Sequence, residues 1–325
     1  MRFFFALSSF VTAVLATSRT SPPSGSLTVG SSGTYSTIQK AVNALSTTST
    51  SAQSIFIYSG TYSEQVTIPA LKGALTVYGY TTDTSGYSKN VVNIVHSSSL
   101  LSGAANDEAT SAVINLSANT KFYNVNIKNT YGKGSQAIAL SAYNTEQGYY
   151  GVGLYGYQDT LLSQTGNQFY GKCYIEGAVD FIFGQHARTW IDGSTLAVSA
   201  GGGSITASGR PSSTDTSYYV INKSTITTAS GASVAAGTVY LGRPWAEYAR
   251  VAVQNTVLSS IINAAGWSVW STSDARTADV TLQTYKNTGA TCCTASFGTA
   301  LSSAVTISTI LGSTYTGWVD TAYLS

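Results

Sequence analysis

The stretch YGKCYIEGAVDFIFGQHARTWIDGSTL, residues 170–196, contains one short pattern twice. YGKCYI (170–175) and IDGSTL (191–196) each begin with an apolar residue and a turn former, and each ends on Ile or Leu two residues after a Cys or Ser. The two copies begin 21 residues apart. A step of this size is typical of a solenoid, in which each repeat buries its apolar residues by stacking on the next.

Further copies of the pattern occur on both sides of this stretch. They are INKSTI (221–226) and VQNTVL (253–258), with the shorter forms YNVNI (123–127) and YGVGL (150–154). The starts of all six are separated by 27, 20, 21, 30 and 32 residues, so some turns carry insertions. Strand-rich coils of about 20 residues predict an all-β fold, a parallel β-helix. A Greek-key sandwich, with short strands at similar spacing, is the alternative.

One amphipathic helix is predicted ahead of the repeats, over YSTIQKAVNALS at 35–46. Thr34 or Ser36 is placed to cap its start. Its apolar residues fall on one helical face; they are Tyr35, Ile38, Ala41, Val42 and Leu45. The first coil of a β-helix leaves an open end, so we expect this helix to cap the N-terminal end of the solenoid.

The composition excludes some classes of function. Charged residues make up 9% of the 325 residues, against about 25% in an average soluble protein. Small polar residues and Gly replace them, which favours strands and turns over helices. The formal net charge is +2 and no block of Lys or Arg stands out, so nucleic acid is not predicted as a partner.

The first 16 residues are predicted to be a secretory signal peptide. Arg2 supplies the basic region, the following run is apolar, and its last three residues, VLA, fit a cleavage site. Residues 17–26 read as a polar, linker-like segment, and residues 27–325 as a single domain. No later stretch is long and apolar enough to span a bilayer. The sequence therefore predicts a secreted, extracellular protein.

Two sequons and three cysteines bear on processing. Asn115 (NLS) and Asn222 (NKS) are predicted glycosylation sites. Three cysteines are an odd number, which argues against a disulfide framework. Cys173 is predicted to be a buried free thiol, with a single bridge to it as the alternative, and the adjacent Cys292 and Cys293 are left open.

Four polar residues share the one-coil spacing. Asp159 and Asp180 are 21 residues apart, and Gln136 and Gln158 are 22 apart. Residues one coil apart lie about 4.8 Å from each other on a β-helix face, so we expect these side chains to meet on one face. Asp180 stands in an apolar run, and on a strand its side chain would point away from those of its two neighbours.

These four groups have a chemistry in common. Two carboxylates with separated pKa values can act as acid and base or as acid and nucleophile, and amide N–H groups can stabilise an oxyanion. Together they could cleave an ester without Ser or His. The sequence has no G-x-S-x-G motif, only His96 and His186, and no zinc-ligand spacing. A structural hydrogen bond in a turn is the alternative for either Asp alone.

Arg243 in LGRPW (241–245) is the third feature of the candidate site. An arginine can pair with a carboxylate through two hydrogen bonds and keep it ionised. A surface turn with a stacked aromatic is the alternative. Trp245, and Trp267 in AAGWSVW, offer flat apolar faces on which a sugar can stack, although core packing is the usual role of a single Trp.

Five stretches resemble the signature blocks of the pectin methylesterases, in the same order and at similar spacing. They are GTYSE (60–64), GSQAIAL (134–140), GYQDTL (156–161), GAVDFIFG (177–184) and LGRPW (241–245). The resemblance runs from about residue 26 to the C-terminus, and the arrangement of signal peptide and one compact domain is similar to that of fungal and other microbial members. It implies a right-handed parallel β-helix that hydrolyses the methyl esters of galacturonate in pectin and releases methanol.

The resemblance also implies roles for the matched residues. Asp180 matches the nucleophile, Asp159 the general acid and later base, and Gln136 and Gln158 the oxyanion donors. Arg243 matches the residue that holds the nucleophile. The implied substrate-binding residues are Arg243, Trp245, Phe183 and Trp267. The implied chemistry needs no metal or organic cofactor, and the expected partner is methyl-esterified polygalacturonate, bound by a monomer away from any membrane.

Two other classes of function remain open at this stage. A pectate lyase or polygalacturonase could use the same fold, but a lyase would need clustered acidic residues for calcium and a hydrolase would need paired inverting carboxylates. The 14 acidic residues are scattered, which leaves little room for a calcium cluster. The second alternative is a non-catalytic solenoid that binds pectin.

Overall fold

The computed structural model describes residues 17–325, so the predicted signal peptide lies outside the described residues. The first nine strands are β1 (Leu27–Val29), β2 (Gln53–Ile57), β3 (Gly60–Ser63), β4 (Val66–Ile68), β5 (Leu75–Gly79), β6 (Val92–His96), β7 (Val113–Asn115), β8 (Thr120–Tyr123) and β9 (Asn126–Asn129). The next nine are β10 (Leu140–Tyr143), β11 (Gln147–Tyr150), β12 (Gly153–Tyr155), β13 (Leu161–Gly171), β14 (Tyr174–Gly177), β15 (Ile182–Gly184), β16 (His186–Asp192), β17 (Thr195–Val198) and β18 (Ser204–Ser208). The last eight are β19 (Tyr218–Asn222), β20 (Thr225–Thr228), β21 (Tyr240–Pro244), β22 (Arg250–Gln254), β23 (Val257–Leu258), β24 (Thr281–Tyr285), β25 (Thr288–Gly289) and β26 (Gly298–Ala300).

Within residues 17–325, helices are few and short. They are the α-helices α1 (Ile38–Asn43) and α2 (Ile307–Leu311), and four 3-10 turns at Leu100–Ser102, Glu108–Thr110, Tyr315–Gly317 and Thr321–Tyr323. No helix among residues 17–325 is long and apolar enough to cross a membrane.

The named strands pair in parallel and form three faces of a β-helix. Sheet I follows β1, β2, β5, β8, β11, β13, β16, β19, β22, β24 and β26. Sheet II follows β4, β7, β10, β13, β15, β18 and β21. Sheet III follows β3, β6, β9, β12, β14, β17, β20, β23 and β25. The parallel β-helix is confirmed, because a Greek-key sandwich is built from antiparallel pairs.

The repeat found in the sequence corresponds to the corner between sheet I and sheet III. Its closing apolar residues pair in register down sheet III and are buried; they are Ile127, Leu154, Ile175, Leu196, Ile226 and Leu258. The starts pair in register except at one step, where Tyr150 pairs with Gly171 and not with Tyr170. The last Ile or Leu of each copy therefore aligns the coils better than the first residue does, because this side chain fills the core.

Helix α1 covers the first coil, as predicted. Ile38, Ala41 and Val42 are buried in the main core. The helix is shorter than the predicted segment, and its cap is neither Thr34 nor Ser36. Thr37 accepts a hydrogen bond from the third residue of the helix, and the carboxylate of Glu64 accepts the N–H groups of Ile38 and its neighbour at 2.8 and 2.9 Å. A carboxylate at this end satisfies backbone donors that the helix leaves unpaired.

The first described residues and the C-terminal segment both lie along the outer surface of sheet I. Arg19, in the segment predicted to be linker-like, pairs with Thr81 through the backbone, and its guanidinium lies 4.8 and 5.0 Å from the rings of Tyr78 and Tyr123. The C-terminal segment adds apolar side chains that form one cluster with outward-facing residues of sheet I. That cluster includes Tyr123, Tyr150, Phe169, Trp190, Tyr218, Ala252, Ile310, Leu311, Trp318 and Val319.

The cysteines fall into two states. Cys173 is a buried free thiol, as predicted, and burial raises its pKa to about 12, so it is not a reactive thiolate. Cys292 and Cys293 are bonded to each other.

Candidate active site

The four polar residues of the candidate site lie at one turn of successive coils, just before sheet II. The N–H of the residue after Gln136 donates to the carbonyl of Gln158 at 3.2 Å, and the N–H of Asp159 donates to the carbonyl of the residue before Asp180 at 3.1 Å. These hydrogen bonds stack the segments one coil apart. The spacing of about one coil in the sequence therefore brings the four residues together, as expected.

Asp159 and Asp180 share an unusual backbone conformation. Their φ angles are 64° and 49°, in the left-handed region, and the strands β13 and β15 begin two residues later in each case. Aspartate adopts this region more readily than bulkier residues. The prediction that Asp180 alternates with its neighbours on a strand is wrong, because the residue belongs to the turn before the strand. The turn presents each carboxylate at the start of sheet II.

Asp180 is held by Arg243, which lies on β21. Nε donates to Oδ1 at 2.9 Å and Nη2 donates to Oδ2 at 2.6 Å. The strand register explains the contact: Arg243 pairs with Ala207, and Ala207 pairs with Phe183, three residues after Asp180. Arg243 therefore reaches across one coil to Asp180. A guanidinium that meets a carboxylate through two hydrogen bonds fixes both its position and its ionised form.

Opposing effects act on the charge of Asp180. The residue is 5% exposed, and burial raises its pKa because the charged form loses water. The hydrogen bonds and charge of Arg243 act in the opposite direction. The pKa of Arg243 is in turn raised, first by its hydrogen bonds to Asp180. The contact with Arg243 therefore favours the ionised form of Asp180, whereas burial favours the protonated form.

In the described part of the chain, Asp159 has no such ion pair. Burial raises its pKa to about 8, and the charges of Asp180 and Asp107 add to the shift, while the more distant Arg243 opposes it. No protein side chain or backbone group among residues 17–325 donates a hydrogen bond to its carboxyl group. The raised pKa favours a protonated Asp159 at neutral pH, whereas the hydrogen bonds and charge of Arg243 favour the ionised form of Asp180. Two carboxyl groups whose environments push their pKa values apart can act as an acid and a nucleophile.

Gln136 and Gln158 line the same cavity as the two aspartates. The Oε1 atom of Gln136 accepts the hydroxyl of Ser135 at 3.3 Å. In the described part of the chain, the Nε2 groups of both glutamines have no acceptor, so their N–H donors are available to a ligand. Side-chain amides in this arrangement can stabilise a negative oxygen.

The cavity has a volume of about 270 Å³ and one apolar wall. Phe183 and Ala207 form part of this wall, and the ring of Trp245 lies 6.0 Å from that of Phe183. Trp270 closes the side next to Arg243, whose guanidinium lies 4.3 Å from the Trp270 ring and donates to its carbonyl at 3.1 Å. Aromatic faces beside hydrogen-bonding groups are suited to a sugar, which has apolar and polar surfaces.

A larger cavity, of about 580 Å³, lies at the C-terminal end of the β-helix, next to Cys292 and Cys293. Of the described residues that line it, Lys286 is the one that is charged, so these residues offer no pair of acid and base. Residues 17–325 also contain no group of three His, Cys, Asp or Glu side chains arranged to hold a metal ion.

Comparison with known proteins identifies the family of this chain. The model of the Pectinesterase family matches residues 26–308. The chain belongs to the pectinesterase family. A pectinesterase of Aspergillus aculeatus is 52% identical over 320 residues, which cover 97% of each chain, and one of Aspergillus niger is 51% identical over 322 residues, with the same coverage.

Solved structures of pectin methylesterases have the same fold. The crystal structure of the Aspergillus niger enzyme in deglycosylated form superposes with a TM-score of 0.88 at 45% identity, covering 94% of this chain and all of that chain. The carrot enzyme gives a TM-score of 0.81 at 26% identity, covering 94% of this chain and 98% of that one. The coverage places the five sequence blocks and the cavity within the part shared with the pectinesterase family.

The prediction of Trp267 as a substrate-binding residue is wrong. Trp267 is 1% exposed, packs in the main core and forms a bridge with Gly242, next to Arg243. Trp270, three residues later, is half-buried and lines the cavity instead. The stretch AAGWSVW contains both residues, and nothing in its pattern distinguishes the tryptophan of the core from that of the pectinesterase cavity.

Asp107 is a cavity residue that sequence reasoning missed. It lies just before the 3-10 turn Glu108–Thr110, and its Oδ1 atom is buried without a hydrogen-bond partner. Burial raises the pKa of Asp107, and the neighbouring Glu108 adds to the shift. Asp107 lies in none of the five blocks. The one sequence feature that could have drawn attention to it is the scarcity of acidic residues in the chain.

The two predicted glycosylation sites are not available in the folded chain. Asn115 is fully buried, and its Nδ2 donates to Thr120 at 2.7 Å and to Tyr149 at 3.1 Å. Asn222 is 6% exposed, and its Nδ2 donates to Asp192 at 2.6 Å. A glycan requires an exposed amide nitrogen, so neither position fits one.

Proposed function

We propose that this member of the pectinesterase family hydrolyses the methyl esters of galacturonate in pectin, with Asp180 as nucleophile and Asp159 as acid and base. The observation that carries the proposal is the bidentate pair between Asp180 and Arg243, next to an Asp159 whose pKa is raised to about 8. One carboxylate is kept ionised and positioned, while its neighbour keeps a proton.

The first half of the reaction forms an acyl-enzyme. An oxygen of Asp180 attacks the ester carbonyl carbon, and the carbonyl oxygen takes the negative charge. The amide groups of Gln136 and Gln158 donate hydrogen bonds to this oxygen. The tetrahedral intermediate collapses, the bond to methoxide breaks, and the carboxyl proton of Asp159 passes to the leaving group, giving methanol.

The second half restores the enzyme. Asp159, now ionised, takes a proton from water, and the resulting hydroxide attacks the acyl carbon. The bond to Asp180 breaks, which releases a galacturonate carboxylate and the free aspartate. Asp159 again holds its proton. Each cycle consumes one ester and one water and yields one methanol, one carboxylate and one proton.

The aromatic wall would hold the polymer during this cycle. Trp245 and Phe183 offer apolar surface to the sugar rings, and Arg243 faces the cavity from the other side. Residues 27–325 would act as one catalytic domain, exported by a signal peptide at 1–16 and active as a monomer on extracellular pectin.

One assay separates this function from its rivals. Highly methylated pectin is incubated with the protein across a range of pH, and released methanol and polymer chain length are measured together. Methanol without chain shortening is the expected result. Shortened chains would indicate a lyase or a glycosidase, and binding with neither product would indicate a non-catalytic solenoid.

A further inference from the structure

A second polar cavity, of about 310 Å³, lies on the outer surface of sheet I, away from the two aspartates. Three of the chain's seven arginines line it: Arg188, Arg210 and Arg250. Strand register brings two of them together, because Arg188 on β16 pairs with Tyr218 on β19, and Arg250 lies beside Tyr218 on β22. Two steps of a parallel sheet separate them, about 10 Å between Cα atoms.

The positive charge in this cavity has little to balance it. Asp215 is the one carboxylate among the described residues that lines it, and its oxygens are used by His186 at 2.6 Å and by the N–H of Ser217 at 2.8 Å. None of the three arginines forms an ion pair in the part of the chain described. Burial lowers the pKa of Arg210 and the charge of Arg250 lowers it further, while the charge of Asp215 opposes this shift only in part. Cations crowded in this way favour a bound anion.

The three arginines differ in how many donors remain free. Arg210 is 7% exposed and donates to the carbonyls of Asp215 and Ser213, at 2.7 and 2.5 Å, so it fixes the loop that forms the rim. The guanidinium of Arg250 lies over the ring of Tyr218 at 4.1 Å, and its Nε atom is buried without a partner. Arg188 donates no side-chain hydrogen bond to any described residue. Arg188 and Arg250 therefore have donors available for a ligand.

The cavity is close to the catalytic groove along the chain. Arg210 follows Gly209, and a Cβ atom at Gly209 would lie 2.4 Å from the ring of Trp245, which lines the groove. A polymer leaving the aromatic wall at Trp245 could thus continue towards the arginines.

We propose that this cavity, the arginine cavity, binds carboxylate groups of de-esterified galacturonate in the same pectin chain, outside the groove; this rests on the proposed function. The planar guanidinium matches a carboxylate through two parallel hydrogen bonds. Each catalytic cycle creates such a carboxylate. A methyl ester has no charge to pair with Arg188 or Arg250, so the cavity selects product stretches over unreacted ones.

The test uses the double variant Arg188→Gln with Arg250→Gln, which leaves the loop anchor Arg210 in place. The control is Lys40→Gln with Lys286→Gln, which removes the same charge from exposed positions elsewhere. Binding of an unesterified galacturonate oligomer is measured by titration calorimetry at fixed salt. The affinity of the arginine double variant is expected to fall at least about tenfold, because hydrogen bonds between charged groups are lost, while the control keeps the wild-type value.

Three results would overturn the inference. They are equal affinities of the double variant and wild type, an equal loss in the lysine control, or tighter binding of sulfate than of the oligomer at this cavity, which would make it a general oxyanion site. Arg188→Lys keeps the positive charge but not the planar guanidinium, so it is expected to lose only part of the affinity for the oligomer. Methanol release from a short methyl-esterified oligomer, measured on the same proteins, tests the proposed function separately, since it is expected to be equal in all of them.

Discussion

Arg243 contacts both carboxylate oxygens of Asp180 from a strand that follows it by 63 residues in the sequence. Ala207, on the strand between them, is small enough for the guanidinium to pass over it. The contact explains how a carboxylate that is 5% exposed remains available as an anion. The neighbouring Asp159 has no such ion pair among residues 17–325, and its pKa is raised to about 8.

Asp180→Asn is expected to reduce methanol release from pectin at least about a thousandfold, because an amide is not a useful nucleophile at neutral pH. The change is nearly isosteric, so the circular dichroism spectrum should match that of wild type. Near-wild-type methanol release by a folded Asp180→Asn protein would contradict the proposed mechanism.

Substitution of Arg243 is expected to move the acidic limb of the pH–rate profile. In Arg243→Ala, burial raises the pKa of Asp180 without opposition, so the ionised nucleophile is lost at a higher pH than in wild type. Arg243→Lys keeps the positive charge but loses the planar guanidinium that donates two parallel hydrogen bonds. Its activity should therefore be lower than that of wild type but measurable, and its acidic limb should move less than that of Arg243→Ala. An unmoved acidic limb in Arg243→Ala would mean that Arg243 positions Asp180 without affecting its charge.

The raised pKa of Asp159 predicts where the alkaline limb of the same pH–rate profile lies. Its proton is required for methanol to leave, so activity should decline as the pH rises past about 8. Asp107→Asn removes a charge that raises the pKa of Asp159, and it should therefore shift this limb to lower pH. Glu247→Gln, at an exposed position outside the cavity, is the matched control. A limb that stays in place in Asp107→Asn would exclude Asp107 from this role.

Gln136→Ala is expected to lower kcat by roughly 100- to 1,000-fold with a modest change in KM, as on loss of one oxyanion donor. The reason is that a negative oxygen forms only after attack. Steady-state kinetics on methylated pectin measure the division between the two constants. A raised KM with an unchanged kcat would instead identify Gln136 as a residue that binds the ground state.

The two tryptophans of AAGWSVW should respond differently to substitution. Trp267→Ala should lower the free energy of unfolding by about 3–5 kcal/mol, because it leaves a cavity in the core. Trp270→Ala should change stability less and reduce kcat, because Arg243 loses the ring on which it packs. Chemical denaturation and methanol release, measured on both variants, check the assignment. The opposite pattern would show that Trp267, not Trp270, contacts substrate.

Sequence spacing was enough to predict the coils and the proximity of the candidate site residues, because stacking depends on the number of residues in each coil. Ile175 and Leu196 repeat after 21 residues and so do Asp159 and Asp180. Spacing could not reveal whether a polar residue faces outward or fills a turn. Asn115 reads as a surface sequon, yet it is buried by contacts with Thr120 and Tyr149.

The repeat pattern also could not predict residues that reach the cavity through long-range contacts. Asp107 reaches the cavity because the segment around it folds over the start of sheet II, and no repeat passes through that segment. Its position depends on tertiary packing, which a period of about 20 residues does not encode.

The C-terminal segment has a consequence for how the protein unfolds. In a solenoid, each coil contacts only its neighbours, so coils can fray from either end. Here Ile310, Leu311 and Trp318 share one apolar cluster with side chains from β8, β11, β13, β16, β19 and β22. The C-terminal segment therefore packs along the length of the β-helix and connects coils that do not contact each other directly. Unfolding of any one of these coils would remove contacts that stabilise the segment and, through it, the other coils.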